Sequence, residues 1–272
     1  MLVVVADSHV IPGTRSEAQF REFLRWLEGT DHDVAFLGDI MELWIGLGRY
    51  ESALQLWFVQ WCRLQCARRR IYLVEGNHEY FVVRHHRDCF TDCAADALVI
   101  PEWGVLLEHG DDFAGIATPA HRRFRWWCKS RLAHFLLNWM PGAAAFVRYL
   151  KRKLEHSARK RKYRFEQSRI SARATAVLQS PALRGVLYGH FHHALVEGRH
   201  GGRLLAVLPA WKENGEIGLY DPEANAICIM PWRQAARACP AVPRGDASRP
   251  MAFGNPGKMA SPSSKIKKQT GA

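Results

Sequence analysis

Side chains that can bind metal ions occur in five short clusters, and each cluster closes an apolar run. The seven candidate ligands are Asp7 and His9 in ADSH, Asp39 in FLGD, Asn77 in VEGNHE, His109 in LLEHGD, and His190 and His192 in YGHFH. Glycines in four of the clusters allow a sharp turn where a strand gives way to a loop. Because side chains at strand ends converge on one edge of a sheet, these distant residues can share one site. We therefore predict a metal centre at a sheet edge.

The chemistry and the number of these side chains favour two ions. Asp-x-His and His-x-His each place two ligands on the same side of an extended chain, since side chains alternate along a strand. Imidazoles, carboxylates and an amide oxygen together suit borderline-to-hard cations. Seven side chains are too many for one four-coordinate ion, whereas two ions can share a bridging carboxylate, for which Asp39 is the candidate. The predicted cofactors are two divalent metal ions, with Mn²⁺ preferred and Fe²⁺, Zn²⁺ or Mg²⁺ as alternatives.

A single cluster of this kind says little, because histidines often lie in cores or on surfaces without binding a ligand. The ordered series D-x-H, GD-x-x-E, GNHE, HGD and GHFH is more specific. From residue 1 to about residue 222 it resembles the calcineurin-like metallophosphoesterase family. The resemblance implies a binuclear metal-dependent phosphoesterase with an α/β fold of the αββα type, a sandwich of two sheets with helices outside.

Length and composition predict one elaborated domain with a large core. The chain has 272 residues, of which 48% are apolar, and no apolar run approaches the ~20 residues of a membrane span. The chain begins directly with a strand-like segment, so no cleaved signal peptide is expected. Seven cysteines without a Cys-x-x-Cys pair favour buried, reduced thiols over a second metal site, although Cys62/Cys66 and Cys89/Cys93 have helical spacing. We expect a cytoplasmic protein.

The net charge of +12 is concentrated in two segments. Residues 121–169 contain fifteen Lys and Arg against two Glu, and residues 243–272 contain six against one Asp. The rest of the chain is acidic, as expected where carboxylates collect metal ions. The second basic segment is rich in Pro, Gly, Ser and Lys, and it is predicted to be a disordered tail, either a mere extension or a weak anchor to anionic lipid.

Apolar periodicity predicts alternating strands and helices, followed by strands alone. Helices are predicted around Ser16–Leu27 and Glu51–Arg69. Strands are predicted at Met1–Ala6, Val34–Leu37, Ile71–Glu75, Trp103–Glu108, Gly185–Tyr188, Ala194–Glu197, Leu204–Leu208, Glu216–Tyr220 and Ala226–Met230. We predict a metallophosphoesterase domain over residues 1–232, with a helical cap inserted at residues 115–172.

The predicted cap combines cations with large apolar residues at helical spacing. The apolar residues are Phe124, Trp127, Leu132, Phe135, Leu136 and Trp139. Two interpretations are equally open. The helices can simply pack on the core with a solvated charged face, or they can form an apolar slot with a cationic edge. Such a slot suits a phosphate-bearing lipid or an anionic bilayer surface.

Two further segments resemble the UDP-2,3-diacylglucosamine hydrolases of lipid A biosynthesis. Residues 38–46, GDIMELWIG, are similar to that family's GDLFE-x-WIG block, and Ala210-Trp211 followed by Gly215 resembles its GAW-x-x-x-G segment. That family inserts a helical cap that holds two acyl chains. The resemblance implies cleavage of UDP-2,3-diacylglucosamine, or of a related lipid-linked nucleotide, to UMP and a lipid sugar-1-phosphate. It also implies a peripheral position on the cytoplasmic face of the inner membrane, with an anionic membrane surface as partner.

The resemblance assigns roles to individual residues. Asp7, His9, Asp39 and His192 would hold one ion, and Asp39, Asn77, His109 and His190 the other, with a bridging hydroxide attacking the phosphorus. The resemblance implies catalytic roles for Asp39 and His78. The best-known branch of the family has an Arg at the position of His78. His78 could protonate the leaving oxygen or bind a phosphoryl oxygen, or else only orient Asp39 or Asn77. Predicted substrate contacts are Asn77, His78, Ser157, Arg161, Arg164 and His190. Glu42, Glu79 and Asp111 are expected to support the ligands rather than to bind metal.

Two other classes of function remain. A nuclease or generic phosphodiesterase of the same superfamily would use the basic cap to follow phosphates and Trp126 or Trp127 to stack bases. A non-catalytic scaffold is the other alternative, but all seven ligand positions are intact, which argues against it.

Overall fold

The computed structural model describes residues 1–112, 119–157 and 165–238. The strands in these segments are β1 (Leu2–Val5), β2 (Asp33–Leu37), β3 (Trp44–Ile45), β4 (Ile71–Val74), β5 (Glu79–Tyr80), β6 (Asp92–Ala94), β7 (Ala97–Ile100), β8 (Val105–Glu108), β9 (Gly185–Tyr188), β10 (Leu195–Arg199), β11 (Arg203–Val207), β12 (Glu216–Asp221) and β13 (Ala226–Pro231). The helices are α1 (Arg15–Glu28), α2 (Ala53–Gln65), α3 (Val82–His86), α4 (Pro119–Cys128), α5 (Arg131–Trp139), α6 (Ala143–Ser157), α7 (Gln167–Val177), α8 (Trp211–Asn214) and α9 (Trp232–Ala238).

Two sheets form the centre of the molecule. The six-stranded sheet has the order β13-β12-β1-β2-β4-β6, and the five-stranded sheet has the order β10-β11-β9-β8-β7. In the first sheet β1, β2, β4 and β6 run parallel, and in the second β8, β9 and β11 run parallel. Apart from the short β6, the parallel strands are nearly continuous apolar runs, as expected for strands that are covered on both faces.

Three apolar layers hold the sheets and helices together. The middle layer lies between the sheets and joins residues such as Val4 and Leu37 of one sheet to Leu107 and Leu187 of the other. A second layer packs α1 and α2 on the outer face of the six-stranded sheet. A third packs α7 on the outer face of the five-stranded sheet through Ile170, among others. The arrangement is the αββα sandwich predicted from the sequence.

The helices α4, α5 and α6 form the cap. One face of α5 and α6 packs on the core, because Ala133 and Val147 are buried in a small apolar cluster with Leu43, Ile45 and Phe81. The opposite face of the cap is exposed and carries large apolar side chains: Trp126, Trp127, Leu132, Phe135, Trp139, Met140, Phe146 and Tyr149. Helical periodicity explains the division on α5, since positions 133 and 137 lie opposite positions 132, 135 and 139.

Most predicted elements of the core are present within two to four residues of their predicted ends. Four short strands, β3, β5, β6 and β7, were not predicted, and none of them is longer than four residues. Cys89 and Cys93 do not share a helix, since Cys93 lies in β6. Both thiols are buried and free, as is that of Cys62, whereas the free thiols of Cys66 and Cys128 are half-buried and that of Cys228 is exposed.

Some sequence predictions fall on residues that the structure does not describe. These are the tail at residues 243–272 and the two arginines Arg161 and Arg164. Residue 172, the predicted end of the cap, lies within α7, which packs on the sandwich. Among the described residues, no helix is both long enough and apolar enough to span a membrane.

Candidate metal centre

All seven predicted ligands follow the carboxyl ends of parallel strands. Asp7 and His9 follow β1, Asp39 follows β2, Asn77 follows β4, His109 follows β8, and His190 and His192 follow β9. We call these five segments the ligand loops. The carboxyl ends of parallel strands meet at one edge of a sheet, so the two sheets together bring the ligand loops to a common point. The structure therefore places the predicted ligands side by side, while metal binding by them stays a prediction.

The backbone of the ligand loops is unusual. Five of the predicted ligands have positive φ, which only glycine adopts freely: Asp7 (53°), His9 (41°), Asp39 (54°), His190 (68°) and His192 (51°). Each such residue costs on the order of 1–3 kcal/mol, and residues of this kind cluster at functional sites. The surrounding structure must therefore hold these five residues in place.

Two glycines allow the loops to approach closely. A Cβ at Gly76 would lie 2.2 Å from Oδ1 of Asp39, and a Cβ at Gly38 would lie 2.6 Å from Nδ1 of His109. Neither position can hold a side chain without moving a predicted ligand. The glycines of the sequence clusters thus serve the packing of ligands as well as the turns.

Each aspartate uses one oxygen for support and keeps the other for the site. Oδ1 of Asp39 accepts the backbone N–H of His78 at 2.8 Å, and Oδ2 of Asp7 accepts that of His190 at 2.8 Å. The second oxygens, Oδ2 of Asp39 and Oδ1 of Asp7, are buried and accept no hydrogen bond within the described residues. Buried carboxylate oxygens of this kind need a cation or a donor.

Imidazole nitrogens surround these two oxygens. Oδ2 of Asp39 lies 3.7 Å from Nε2 of His9 and 3.6 Å from Nε2 of His109. Oδ1 of Asp7 lies 3.3 Å from Nε2 of His192 and 3.9 Å from Nε2 of His9. Asp39 therefore stands between histidines that the sequence assigned to different ions, which is the place of a bridging ligand.

Hydrogen bonds on the far side of the rings fix two imidazoles. Nδ1 of His109 donates to the carbonyl oxygen of Leu37 at 2.6 Å, so Nε2 points into the site, where it is 3.3 Å from Oδ1 of Asn77. Nδ1 of His78 donates to the carbonyl oxygen of Glu42, and its Nε2 lies 4.0 Å from Oδ2 of Asp39. A carbonyl accepts only, so each ring carries a proton on Nδ1 and directs its Nε2 into the site.

The charges of the site perturb its histidines in opposite directions. Burial acts to lower the pKa of His109, but the carboxylate of Asp39 outweighs it and raises that pKa to about 10. Burial and the nearby His109 lower the pKa of His190 to about 4. A cation that binds to Nε2 of His109 must therefore displace a proton, whereas His190 is neutral near pH 7.

The residues present fit divalent cations. Three sets have ligand atoms within 4.8 Å of one another: Asp7, His9 and His192; Asp7, Asp39 and His109; and His9, Glu42 and His78. The first two sets belong to the predicted ligands. The third adds two residues that were not predicted as ligands, His78 and Glu42, and Oε2 of Glu42 lies 3.4 Å from Nδ1 of His9. Mixed imidazole and carboxylate donors around unsatisfied oxygens are suited to borderline cations.

Glu79 supports two ligand loops at once. Its buried carboxylate accepts the backbone N–H groups of Asp39 at 2.6 Å, Ile40 at 2.6 Å and Gly76 at 2.7 Å. Burial, together with the charge of Asp39, raises the pKa of Glu79 to about 7. Glu79 therefore supports the ligand loops of Asp39 and Asn77, as expected from the sequence.

Sequence reasoning missed two cations that lie next to the site. Arg125 of α4 and Lys129, the residue that follows α4, pair with the buried carboxylates of Asp111 and Glu75, which belong to ligand loops. The missed signal is their spacing of four residues, which puts both on one face of a helix. Within a segment so rich in Lys and Arg, that spacing alone does not single them out.

The predicted substrate contacts are only partly described. Asn77, His78 and His190 lie in the ligand loops at the centre. Ser157 is the last residue of α6, and nothing is described of its side chain, while Arg161 and Arg164 are outside the described segments. Trp44, of the WIG segment, is buried, and its Nε1 donates to Glu51. Trp211, of the AW segment, supports the loop of Asp7 and His9, because the backbone N–H of Trp211 donates to the carbonyl oxygen of Ala6.

The sequence matches the family model of the calcineurin-like phosphoesterases over residues 1–194. No curated protein shows significant similarity to the chain. A conserved protein from Streptococcus pneumoniae TIGR4, described as a predicted phosphoesterase, is 16% identical over 80% of this chain and 79% of its own, with a TM-score of 0.33. A dimetal phosphatase from Danio rerio is 15% identical over 84% of this chain and 91% of its own, with a TM-score of 0.40. Vps29 from Entamoeba histolytica, complexed with Zn²⁺, is 10% identical over 84% and 96%, with a TM-score of 0.38.

Proposed function

The chain belongs to the calcineurin-like phosphoesterase family, and we propose that it is a binuclear metal-dependent pyrophosphatase of a lipid-linked nucleotide. UDP-2,3-diacylglucosamine is the proposed substrate, cleaved to UMP and a lipid sugar-1-phosphate. Mn²⁺ is the proposed metal. One observation carries the hydrolytic part of this proposal, namely that the free oxygens of two buried aspartates face a ring of imidazole nitrogens.

The seven predicted ligands would hold the two ions. Divalent cations bound there would lower the pKa of a water molecule and offset charge on phosphoryl oxygens. Asp39 is placed to serve both ions, because its Oδ2 is almost equally far from His9 and His109. The backbone N–H of His78 fixes the other oxygen of Asp39, so this carboxylate cannot turn away. Rigid support of this kind is what a bridging ligand requires.

His78 is the proposed proton donor or phosphoryl-oxygen ligand. The backbone N–H of His78 already orients Asp39, so the imidazole is not needed for that task. The ring is 6% exposed, and the carbonyl oxygen of Glu42 holds its Nδ1. Its Nε2 is therefore directed to the centre, where it can donate to a leaving oxygen when protonated.

The cap supports a lipid-bearing substrate. Its outer face exposes Leu132 (57%), Phe135 (56%) and Trp139 (75%) on one side of α5, and Phe146 (59%) on α6. The sequence allowed an enclosed apolar slot, but these side chains lie on an open surface. An open apolar face can contact acyl chains only where lipid is presented to it, as at a bilayer.

The charge of the cap favours an anionic membrane surface as partner. No carboxylate occurs from residue 113 to residue 154. A cleft of about 1160 Å³ beside α4 is lined by Arg122, Arg123, Arg131 and Trp126, among others. Exposed arginines next to interfacial aromatic residues are typical of peripheral contact with anionic lipid. Leu132, Phe135 and Met140, which are also exposed on the cap, favour contact with acyl chains.

The experiment that tests the function is a product assay on metal-depleted protein. UDP-2,3-diacylglucosamine, a generic soluble phosphodiester and single-stranded DNA are offered in parallel, before and after Mn²⁺ is restored. We expect Mn²⁺-dependent release of UMP from the first substrate, well above turnover of the other two. Equal turnover of the soluble phosphodiester would leave a general phosphodiesterase, strand cleavage would indicate a nuclease, and no turnover of any would contradict the enzyme itself.

A further inference from the structure

Two cations of the cap, one in α4 and one directly after it, reach into the core. Lys129 follows the last residue of α4, and its backbone N–H donates to the carbonyl oxygen of Arg125, so the two side chains, four residues apart, lie on the same side. The side chain of Arg125 is 9% exposed and that of Lys129 is 12% exposed. Arg122 and Arg123, on the same helix, are exposed instead. Burial of two cations is costly, so strong partners must offset it.

The partners are carboxylates that belong to two ligand loops. Nε of Arg125 lies 2.6 Å from Oδ2 of Asp111, two residues beyond His109. Nζ of Lys129 lies 3.1 Å from Oε2 of Glu75, two residues before Asn77. Both carboxylate side chains are only 2% exposed. Each cation therefore neutralises a buried charge beside a predicted ligand.

Further contacts fix the two cations themselves. Nη1 of Arg125 donates to Asp96 at 2.7 Å, and Nζ of Lys129 donates to the carbonyl oxygen of Ala95 at 3.2 Å. The other oxygen of Glu75 accepts the backbone N–H of Val83 at 2.8 Å. The network thus joins α4, the turn between β6 and β7, and the loops of His109 and Asn77. A network of this kind has one low-energy arrangement, because each lost contact leaves a buried charge unpaired.

We infer that Arg125 and Lys129 are positioning residues for the metal centre. They act through Asp111 and Glu75, and by holding these carboxylates they fix the loops that present His109 and Asn77. The inference rests on the proposed function, since it concerns the same centre. It makes the first helix of the cap a part of the metal site, although α4 carries no predicted ligand.

A purely structural role for the ion pairs makes a different prediction. If Arg125 only attached the cap, its loss would loosen α4 but leave metal affinity unchanged. If Arg125 positions the loop of His109, its loss weakens metal binding even when the cap plays no part in substrate contact. Metal affinity, measured without any substrate, therefore separates the two roles.

The test compares Arg125→Met with Arg123→Met, an exposed position on the same helix. Mn²⁺ is titrated calorimetrically into each metal-depleted full-length protein, and the bound metal is counted by mass spectrometry. We expect binding about 10–100-fold weaker in Arg125→Met, the usual effect of losing a partner outside the ligand set, and unchanged binding in the Arg123→Met control. The double variant Asp111→Asn/Arg125→Met leaves no buried charge unpaired, and it should bind more tightly than Arg125→Met alone.

Each outcome has a distinct meaning. Equal Mn²⁺ affinity in Arg125→Met and Arg123→Met overturns the positioning role but leaves the proposed function intact. Failure of the unsubstituted protein to bind Mn²⁺ contradicts the metal centre and the inference together. If Arg125→Met does not fold, Arg125→Lys replaces it. That variant keeps the charge but cannot reach both Asp111 and Asp96, so its Mn²⁺ affinity should still fall, and an unchanged affinity overturns the inference.

Discussion

The ligand loops and the cap differ in the environment of their side chains. The ligand loops carry buried polar groups, and nearly every supporting oxygen there accepts a backbone N–H. The cap carries eight of the thirteen large apolar side chains that are exposed in the described residues, within positions 126–149. Contacts within the ligand loops hold their residues in place, whereas the eight large apolar side chains of the cap face solvent.

The contrast separates chemistry from selectivity. Groups that must be held rigidly for hydrolysis lie where two sheets converge, and a change there should affect every substrate. Groups on the outer face of the cap are exposed to solvent, and a change there should affect only substrates that contact them. The two regions can therefore be tested against each other with one pair of substrates.

The largest effect is expected at the residue between the two predicted ions. Asp39→Ala removes Oδ2, which faces both His9 and His109, and it also removes the acceptor of the N–H of His78. Turnover of every substrate should disappear, and metal affinity should fall by more than about 100-fold, since even partners outside the ligand set contribute 10–100-fold. Metal content and turnover are measured together, and near-normal activity with two ions bound would contradict the bridging role.

His78→Ala should lower turnover with less effect on the metals. We expect kcat to fall by on the order of 10²-fold or more for lipid and soluble substrates alike, because a proton donor or phosphoryl contact is lost. The backbone N–H that supports Asp39 remains in this variant. Mass spectrometry of the purified variant supplies the control: loss of metal would show that His78 supports the site instead of acting on the substrate.

Substitution on the cap should distinguish between substrates. Leu132→Asp/Phe135→Asp places two charges on the exposed face of α5, and we expect KM for the acylated substrate to rise steeply while a soluble phosphodiester is hydrolysed as before. Each acyl CH₂ that leaves water contributes ~0.8 kcal/mol, so even a few methylenes matter. The matched control is Leu56→Asp/Leu64→Asp on α2, which is also exposed. Equal losses on both substrates, or none on either, would contradict the lipid role.

The smallest effect concerns a contact between α3 and the cap. Nε2 of His85 and Nε2 of His134 are 2.8 Å apart, and their ring planes are within 7°, so one ring donates to the other. Burial and the charge of Arg84 lower the pKa of both rings, with His86 adding to the effect on His85 and Glu51 opposing it. The contact is therefore complete above the ordinary histidine pKa of about 6.5, and it weakens as the pH falls below that value.

Hydrogen exchange can measure this weakening. After correction for intrinsic rates, amides of α5 should exchange faster at pH 5.5 than at pH 7.5. In His134→Gln the pH dependence should be lost. Identical corrected exchange at the two pH values in the unsubstituted protein would show that the pair does not control the attachment of α5.

The sandwich was predictable because its signals are local and repeated. Apolar runs that end in a polar ligand, with a Gly in four of the five clusters, mark β1, β2, β4, β8 and β9 without reference to the rest of the chain. The same regularity placed all seven predicted ligands in one neighbourhood. The short strands β6 (Asp-Cys-Ala) and β7 (Ala-Leu-Val-Ile) are not followed by a predicted ligand and so give no comparable signal.

What the sequence could not provide depends on contacts between distant segments. The positive φ of Asp7 or His190 is imposed by the whole set of loops, and it cannot be predicted from the residue type alone. The pairing of Arg125 with Asp111 requires knowing which face of α4 meets the core. The sequence left open whether Leu132 and Phe135 face the core or the solvent. Apolar residues occur on more than one side of α5, and the sequence does not show which side packs on the core.

The bond from His190 N–H to Asp7 has a consequence for synthesis. It spans 183 residues, and the chain is made from its N-terminus at roughly 5–20 residues per second. Asp7, His9 and Asp39 thus leave the ribosome roughly 10–40 s before the loop that completes their surroundings. A growing chain can present an Asp-x-His pair to cellular metal ions but not a finished centre. If the predicted centre binds metal ions, it can do so as a complete site only after the loop of His190 and His192 has been synthesised.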